Sequence, residues 1–237
     1  RNTKMVDFQH VLENGVTISS SGTTGPSKDI FRTPENLKEA NRIAVDAQKI
    51  SVTSKILTVT RMTHAGGLLA QSLPAFSVNA EVTAMKFNPF KFLDIFKNYT
   101  HTFLAPAQMT AVMNTKGFKD CDLTGKRILG GSDPVSWDMI EAFVSKGAIV
   151  QPNWGMSEIG PITINIEFDS MDKVNYVKER CFEGYTILGD TYYCDWKIID
   201  HELHVKGSTS IYDDWFATGD IVALDMGNRM YYLGRRN

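Results

Sequence analysis

Apolar residues along this chain fall into short runs separated by longer stretches of helical spacing, and that alternation persists well past its middle. Val16-Thr17-Ile18 follows the turn dipeptide Asn14-Gly15 and reads as a strand; Ile30-Phe31 opens a second, short one. Thr33 then offers an N-cap hydroxyl and Pro34 a first helical position. Behind them Leu37, Ala40, Ile43, Ala44 and Ala47 recur as one helix face. KILTVT (55–60) predicts a buried strand, Gly66 to Phe76 a buried helix, EVTAMKF a strand, and Pro89 to Tyr99 a helix with Phe92, Ile95 and Phe96 inside. THTFLAP, RILGGS and AIVQPNW read as further strands, the last two separated by a helix that Ser136 opens and that turns Trp137, Ile140, Phe143 and Val144 inward. Strands separated by helices argue for a mainly parallel sheet flanked by helices, an α/β layer.

After about residue 162 the period changes. TINIEF, YTILGD, TYYCDWKIID, HELHVKG, DIVALD and RMYYLG are short strand-like runs divided by turn residues, with little helical spacing. Two units are expected: an α/β subdomain over 1–162 and a β-rich, barrel-like subdomain over 163–237.

Bulk chemistry narrows the function classes. A formal charge of −2 over 237 residues, with a pI near 6.2, leaves no chain-wide basic field for nucleic acid or an anionic membrane, so any anion site must be local. No apolar run approaches the roughly 18 residues of a membrane span, and the start RNTKMVDFQH has no apolar signal core, so a cytoplasmic location is expected. Cys121, Cys181 and Cys194 are odd in number and lack paired spacing; reduced, half-buried thiols are expected rather than ligands. A first residue other than Met, and an end at YYLGRRN directly after a strand-like run, suggest a piece of a longer protein.

One segment carries candidate chemistry on its face. In SSSGTTGPSK, Gly22 and Gly25 permit close backbone approach and positive φ. The hydroxyls of Ser20, Ser21, Thr23 and Thr24 can donate to phosphate oxygens, and Lys28 supplies a mobile charge. The spacing is not that of a Walker loop, because Pro26 and Ser27 intervene before the lysine. On these residues alone a slack linker and a phosphate loop both remain open.

The segment resembles the phosphate-loop signature of the adenylate-forming superfamily: acyl- and aryl-CoA ligases, peptide-synthetase adenylation domains and luciferases. MTHAGG (62–67), GGSDPVS (130–136), NWGMSEIG (153–160), and ATGDIVALD with YYLGRRN (217–225 and 231–237) match that family in order. The departures are Pro26 one position earlier than usual, Trp154 for the usual Tyr, Ser157 for the usual Thr, and His201 where Gly is common. The resemblance implies an incomplete large domain: the long N-terminal region is missing, and so is the C-terminal lid, Asn237 falling at the family's hinge.

By that resemblance the reaction is carboxylate attack on the α-phosphate of ATP, giving an acyl-adenylate and pyrophosphate, commonly followed by thioester formation with CoA. Two anions must meet, so the site must neutralise charge and align the reacting atoms. Ser21, Gly22, Thr23, Thr24, Gly25 and Lys28 would then hold phosphates, Glu158 would hold Mg2+, and Ser157 would sit beside the α-phosphate. Gly130, Gly131, Ser132, Asn153, Trp154 and Gly155 would line the adenine and acyl pocket. Asp220 would accept from the ribose hydroxyls, with Arg235 at the same edge. Each has a blander reading: a capping Glu158, a core Trp154, a turn Asp220, an exposed Arg235. His64 would lie beside the substrate carboxylate, although a lone histidine in an apolar segment is more often a satisfied core side chain. THAGG lacks the Asp that amino-acid activators place here, which favours a carboxylic acid without an α-amino group. The alternatives are an amino-acid adenylation domain serving a carrier protein and a nucleotide-binding remnant without turnover.

Overall fold

The computed structural model describes residues 6–20 and 26–236. Helix α1 (Phe8–Asn14) is capped by Asp7 and leads into a hairpin of β1 (Val16–Ser19) and β2 (Asp29–Arg32). The hairpin pairs antiparallel from Val16↔Arg32 to Ser19↔Asp29, and the Ser20 N–H donates onward to the Lys28 carbonyl. Helix α2 (Pro34–Gln48) begins as its sequence predicts, with the Thr33 hydroxyl accepting from the Asn36 N–H and Pro34 in the first turn. All five residues of its expected apolar face are buried.

The chain continues through β3 (Lys55–Thr58), α3 (Ala65–Gly67), a π turn (Leu68–Ser72), α4 (Leu73–Ser77), β4 (Glu81–Ala84), α5 (Pro89–Phe96) and β5 (His101–Leu104). The expected helix from Gly66 to Phe76 is therefore built from three joined pieces. Next come α6 (Pro106–Met113), a 3-10 turn (Lys116–Asp120), β6 (Arg127–Gly130), α7 (Trp137–Val144), β7 (Ile149–Met156), β8 (Gly160–Asn165) and α8 (Met171–Glu179). The last elements are β9 (Thr186–Gly189), β10 (Thr191–Tyr192), β11 (Asp195–Ile199), β12 (Glu202–Lys206), β13 (Phe216–Leu224) and β14 (Met230–Arg235).

Two larger sheets result. The first has seven strands in the order β10-β8-β7-β6-β5-β3-β4, parallel from β7 to β4, with β8 antiparallel to β7 and β10 antiparallel to β8. Helices pack beside it over a core that includes Leu57, Phe96, Leu104, Ile128, Phe143 and Val150. The second sheet has five antiparallel strands in the order β11-β12-β13-β14-β9. Its cluster joins Leu203, Val205, Val222 and Met230 to Trp154, Ile159 and Ile164 of the β7–β8 hairpin.

The division expected at 162/163 falls inside β8, a strand of the seven-stranded sheet. Beyond it the chain enters the small sheet at β9, returns to the large one at β10, and leaves again at β11. TYYCDWKIID is accordingly two strands in two sheets. The low helical content expected after residue 162 also needs correction, because α8 buries Val174 and Val177 against the main core. His201 follows Asp200 in the β11–β12 turn with φ of 66° and 49° respectively. The left-handed backbone explains why glycine suits this position. The three cysteines are free and half-buried, and no helix among the described residues is long and apolar enough to cross a membrane.

Candidate functional site

A cleft of about 720 Å³ opens at the carboxyl ends of β6 and β7, between them and the second sheet. In open α/β sheets ligands bind outside the carboxyl ends of the strands, because successive connections leave a crevice there. Lys28, His64, Ser132, Asn153, Trp154, Gly155, Ser157, Glu158, Asp220 and Arg235 all line it. Residues scattered over most of the sequence thus share one cavity. Gly130 and Gly131 are buried behind that wall rather than on it: Gly130 ends β6, and a Cβ on Gly131 would come within 2.6 Å of the Asn153 amide nitrogen. Ser21, Gly22, Thr23, Thr24 and Gly25 lie outside the described residues.

The hairpin neck places Lys28. Its N–H donates to the Ser20 hydroxyl at 2.8 Å, and the Ser27 hydroxyl donates to the Ser20 carbonyl at 3.1 Å, so the loop is pinched where the lysine leaves it. His64 precedes α3, its carbonyl accepting the Leu68 N–H. Ser132 has φ of 75°, a left-handed turn that carries the chain off β6 across the cleft. The Asn153 side chain donates to the Gly130 carbonyl at 2.8 Å, tying the ends of β6 and β7 together. Gly155 lets the β7–β8 hairpin close, because a Cβ there would meet the Gly160 carbonyl at 2.4 Å. The side chains of Lys28, His64, Ser157 and Glu158 have no hydrogen-bond or ion-pair partner among the described residues.

The opposite wall is differently made. Asp220 is only 4% exposed; one carboxylate oxygen accepts from the Trp154 indole N–H at 2.8 Å and the other from the Arg235 guanidinium at 2.8 Å. Arg235 also donates to the Thr218 carbonyl, and the Asp220 N–H donates to the Thr218 hydroxyl. Trp154 is 8% exposed and belongs to the second sheet's core while still contributing to the cleft. Nearby, burial and then the Asp220 charge push the Tyr232 phenol upward, keeping it a neutral hydroxyl on the wall. Glu202 accepts from the Gly219 N–H at 2.8 Å and pairs with Arg236 at 3.0 Å, which fixes the turn before Asp220.

Sequence reasoning missed Tyr232, Glu202 and, above all, Arg32. The Arg32 side chain ends beneath the Glu158 turn, 1% exposed, with its guanidinium donating to the Ser157 and Thr209 carbonyls at 2.6 Å each. A charged residue closing a two-residue apolar run reads as solvated; only its position on the inward face of β2, beside Ile30, could have flagged it.

Residues 16–203 match the family model described as AMP-binding enzyme. The chain belongs to the AMP-binding enzyme family. This bears out the adenylate-forming resemblance drawn from the ordered motifs. A curated relative, an indoleacetate–CoA ligase of Aromatoleum aromaticum, is 25% identical over 237 residues, covering 92% of this chain and 46% of its own length. Among solved structures, ATP-bound MatB from Rhodopseudomonas palustris superposes with a TM-score of 0.74 at 20% identity, over 92% of this chain and 47% of that one. The adenylation domain of a keto acid-selecting NRPS module, bound to a keto acyl adenylate, gives 0.79 at 18% identity over 94% and 52%. The chain thus spans about half the length of these relatives, and the solved structures establish the AMP-binding fold alone.

Proposed function

We propose that this chain forms the nucleotide- and acid-binding core of an ATP-dependent enzyme that activates a carboxylic acid as its acyl-adenylate and passes the acyl group to a thiol, most simply CoA. The observation that carries the reading is the convergence of Lys28, Glu158 and Asp220 on one cleft at the carboxyl ends of the parallel strands. Lys28, free of protein partners among the described residues, would offset phosphate charge as the acid approaches. The two oxygens of Asp220 each hold one protein donor, and a carboxylate oxygen has a second acceptor direction, which suits the pair of hydroxyls on a ribose. His64 and the small residues Ala65 and Gly66 would face the acid, with His64 donating to its carboxylate.

Mg2+ fits this donor set. Among the described residues no cluster of three or more His, Cys, Asp or Glu could cage a metal by itself, whereas Mg2+ typically takes one or two carboxylates and completes its shell with phosphate and water. Glu158, whose side chain has no partner among the described residues, would be the carboxylate. When bound, the ion would neutralise part of the phosphate charge.

The absence of an acid in THAGG favours substrates without an α-amino group, and the indoleacetate–CoA ligase relative makes aryl-acetic acids the first to try. The NRPS neighbour, selective for a keto acid, supports a second reading in which the thiol belongs to a carrier protein. ATP–pyrophosphate exchange by the full-length gene product, run against aryl, aliphatic, keto and amino acids, tests the proposal. Exchange with at least one acid supports it; ATP binding without exchange on any acid leaves only a binding module. Supplying CoA and a phosphopantetheinylated carrier in turn then separates the two acceptors.

A further inference from the structure

Arg32 occupies a position where a hydrophobic residue would be expected. Along β2 exposed and buried side chains alternate, and Arg32 follows Ile30 on the inward face of the hairpin. A guanidinium taken out of water is costly unless its donors are met, and a carboxylate is the usual partner. Arg32 has no ion pair among the described residues. Its Nη1 donates to the Asn36 side chain at 2.5 Å and to the Thr209 carbonyl at 2.6 Å, and its Nη2 donates to the Ser157 carbonyl at 2.6 Å. Its Nε is buried without a partner among the described residues. Burial brings its pKa down to about 10, with Glu158 acting in the opposite sense, so the group stays charged at neutral pH.

The surrounding bonds show what the charge holds. The turn between β7 and β8 has its three consecutive carbonyls occupied by separate donors: Ser157 by Arg32, Glu158 by the Ile211 N–H at 2.9 Å, and Ile159 by the Thr209 hydroxyl at 2.7 Å. Asn36 adds a bond to the Thr209 carbonyl at 3.1 Å. Fixing a turn by its backbone leaves the Ser157 and Glu158 side chains to the cleft. The same arginine closes the strand that begins one residue after Lys28. A planar fork can bridge two carbonyls from different segments, which an ammonium point charge does poorly.

We infer that Arg32 is a positioning residue: it clamps the Glu158 turn and the 207–211 segment to the Lys28 hairpin, and so sets how the cation-binding carboxylate faces the phosphate-binding lysine. The clamp itself is a matter of structure; its ligand consequence rests on the proposed function.

Two measurements on the full-length protein test it, with Arg32→Lys, Arg32→Met and Thr209→Val. In hydrogen exchange without ligand, losing a charge-assisted bond should raise exchange at 156–162 and 207–212 by about tenfold or more in both Arg32 variants, while α5, α6 and α7 stay at wild-type rates. Arg32→Lys, which keeps the charge and most of the volume, serves should Arg32→Met fold poorly; Thr209→Val leaves the Arg32 bonds in place, should loosen 156–162 alone, and calibrates the loss of a single tie. No rise, or a rise spread over the whole chain, overturns the clamp. In ATP titrations, Arg32→Lys should weaken binding about tenfold in Mg2+ and leave binding in EDTA within about twofold. Equal loss in both, or in neither, overturns the link to Glu158. A wild-type protein that binds no ATP in either buffer instead sinks the proposed function, and the exchange pattern alone then judges the clamp.

Discussion

The two walls of the cleft are organised on opposite principles. On the second-sheet wall Asp220 is held on both sides, by Arg235 from β14 and by the Trp154 indole reaching across from β7, and Glu202 holds the turn before it. On the β7–β8 wall the backbone is held and the side chains of Ser157 and Glu158 have no partner among the described residues, nor has Lys28 across the hairpin. Under the proposed function the first arrangement would be a pre-aligned acceptor that needs little reorganisation when a neutral sugar arrives. The second would keep opposite charges available for ligands of high charge, which would be lost if the protein neutralised them internally. A wall of the first kind is coupled to stability, and one of the second kind is coupled chiefly to ligand.

That contrast predicts different signatures for mutations. The largest effect is expected at the unengaged wall: Lys28→Ala and Glu158→Ala should each lower pyrophosphate exchange by about 10²–10³ while the thermal unfolding curve stays in place. A wild-type exchange rate in either variant would remove that residue from the site. Asp220→Ala should move both readouts, because it leaves the buried Trp154 indole N–H without its acceptor and the Arg235 guanidinium with only the Thr218 carbonyl. We expect ATP affinity to fall and urea unfolding to show a loss of about 1–3 kcal/mol, the usual cost of a buried unpaired donor. An unchanged urea midpoint would dissolve the distinction between the walls. Trp154→Phe keeps an apolar ring and removes only the donor, so its stability cost should be near 1 kcal/mol, with a smaller loss of ATP affinity than Asp220→Ala gives. The smallest change is expected from His201→Gly, which relieves a left-handed backbone by up to about 1 kcal/mol and should leave ATP titrations at their wild-type midpoint.

Much of this was legible in the sequence because it is local. Thr33 and Pro34 announce α2, and the apolar runs of β3, β5, β6 and β7 mark strands buried on both faces. The elements that escaped carry weak periodicity: α6 buries only Met109 and Val112, and α8 only Val174 and Val177, one apolar pair each. The split of TYYCDWKIID could not be read, since Tyr192 and Trp196 differ in which strand they meet, the distant β8 or the following β12, not in local propensity. The site divides the same way. Ordered motifs bring Lys28, Glu158 and Asp220 to one cleft, but Arg32 matters through carbonyls 125 and 177 residues away, which no window along the chain contains. Likewise, the Trp154 indole bond to Asp220 spans 66 residues and links two motifs that sequence reading treated as independent contacts to a nucleotide.

The crossing of β9 and β10 between sheets has a consequence for how the molecule can be divided. Each sheet borrows a strand from a segment that also serves the other, so the polypeptide is stitched across the seam rather than hinged along it. A fragment cut at 162/163 would strip β7 of half its hairpin partner and expose the indole of Trp154, leaving a raw strand edge that invites self-association. The two sheets should accordingly melt in a single cooperative step.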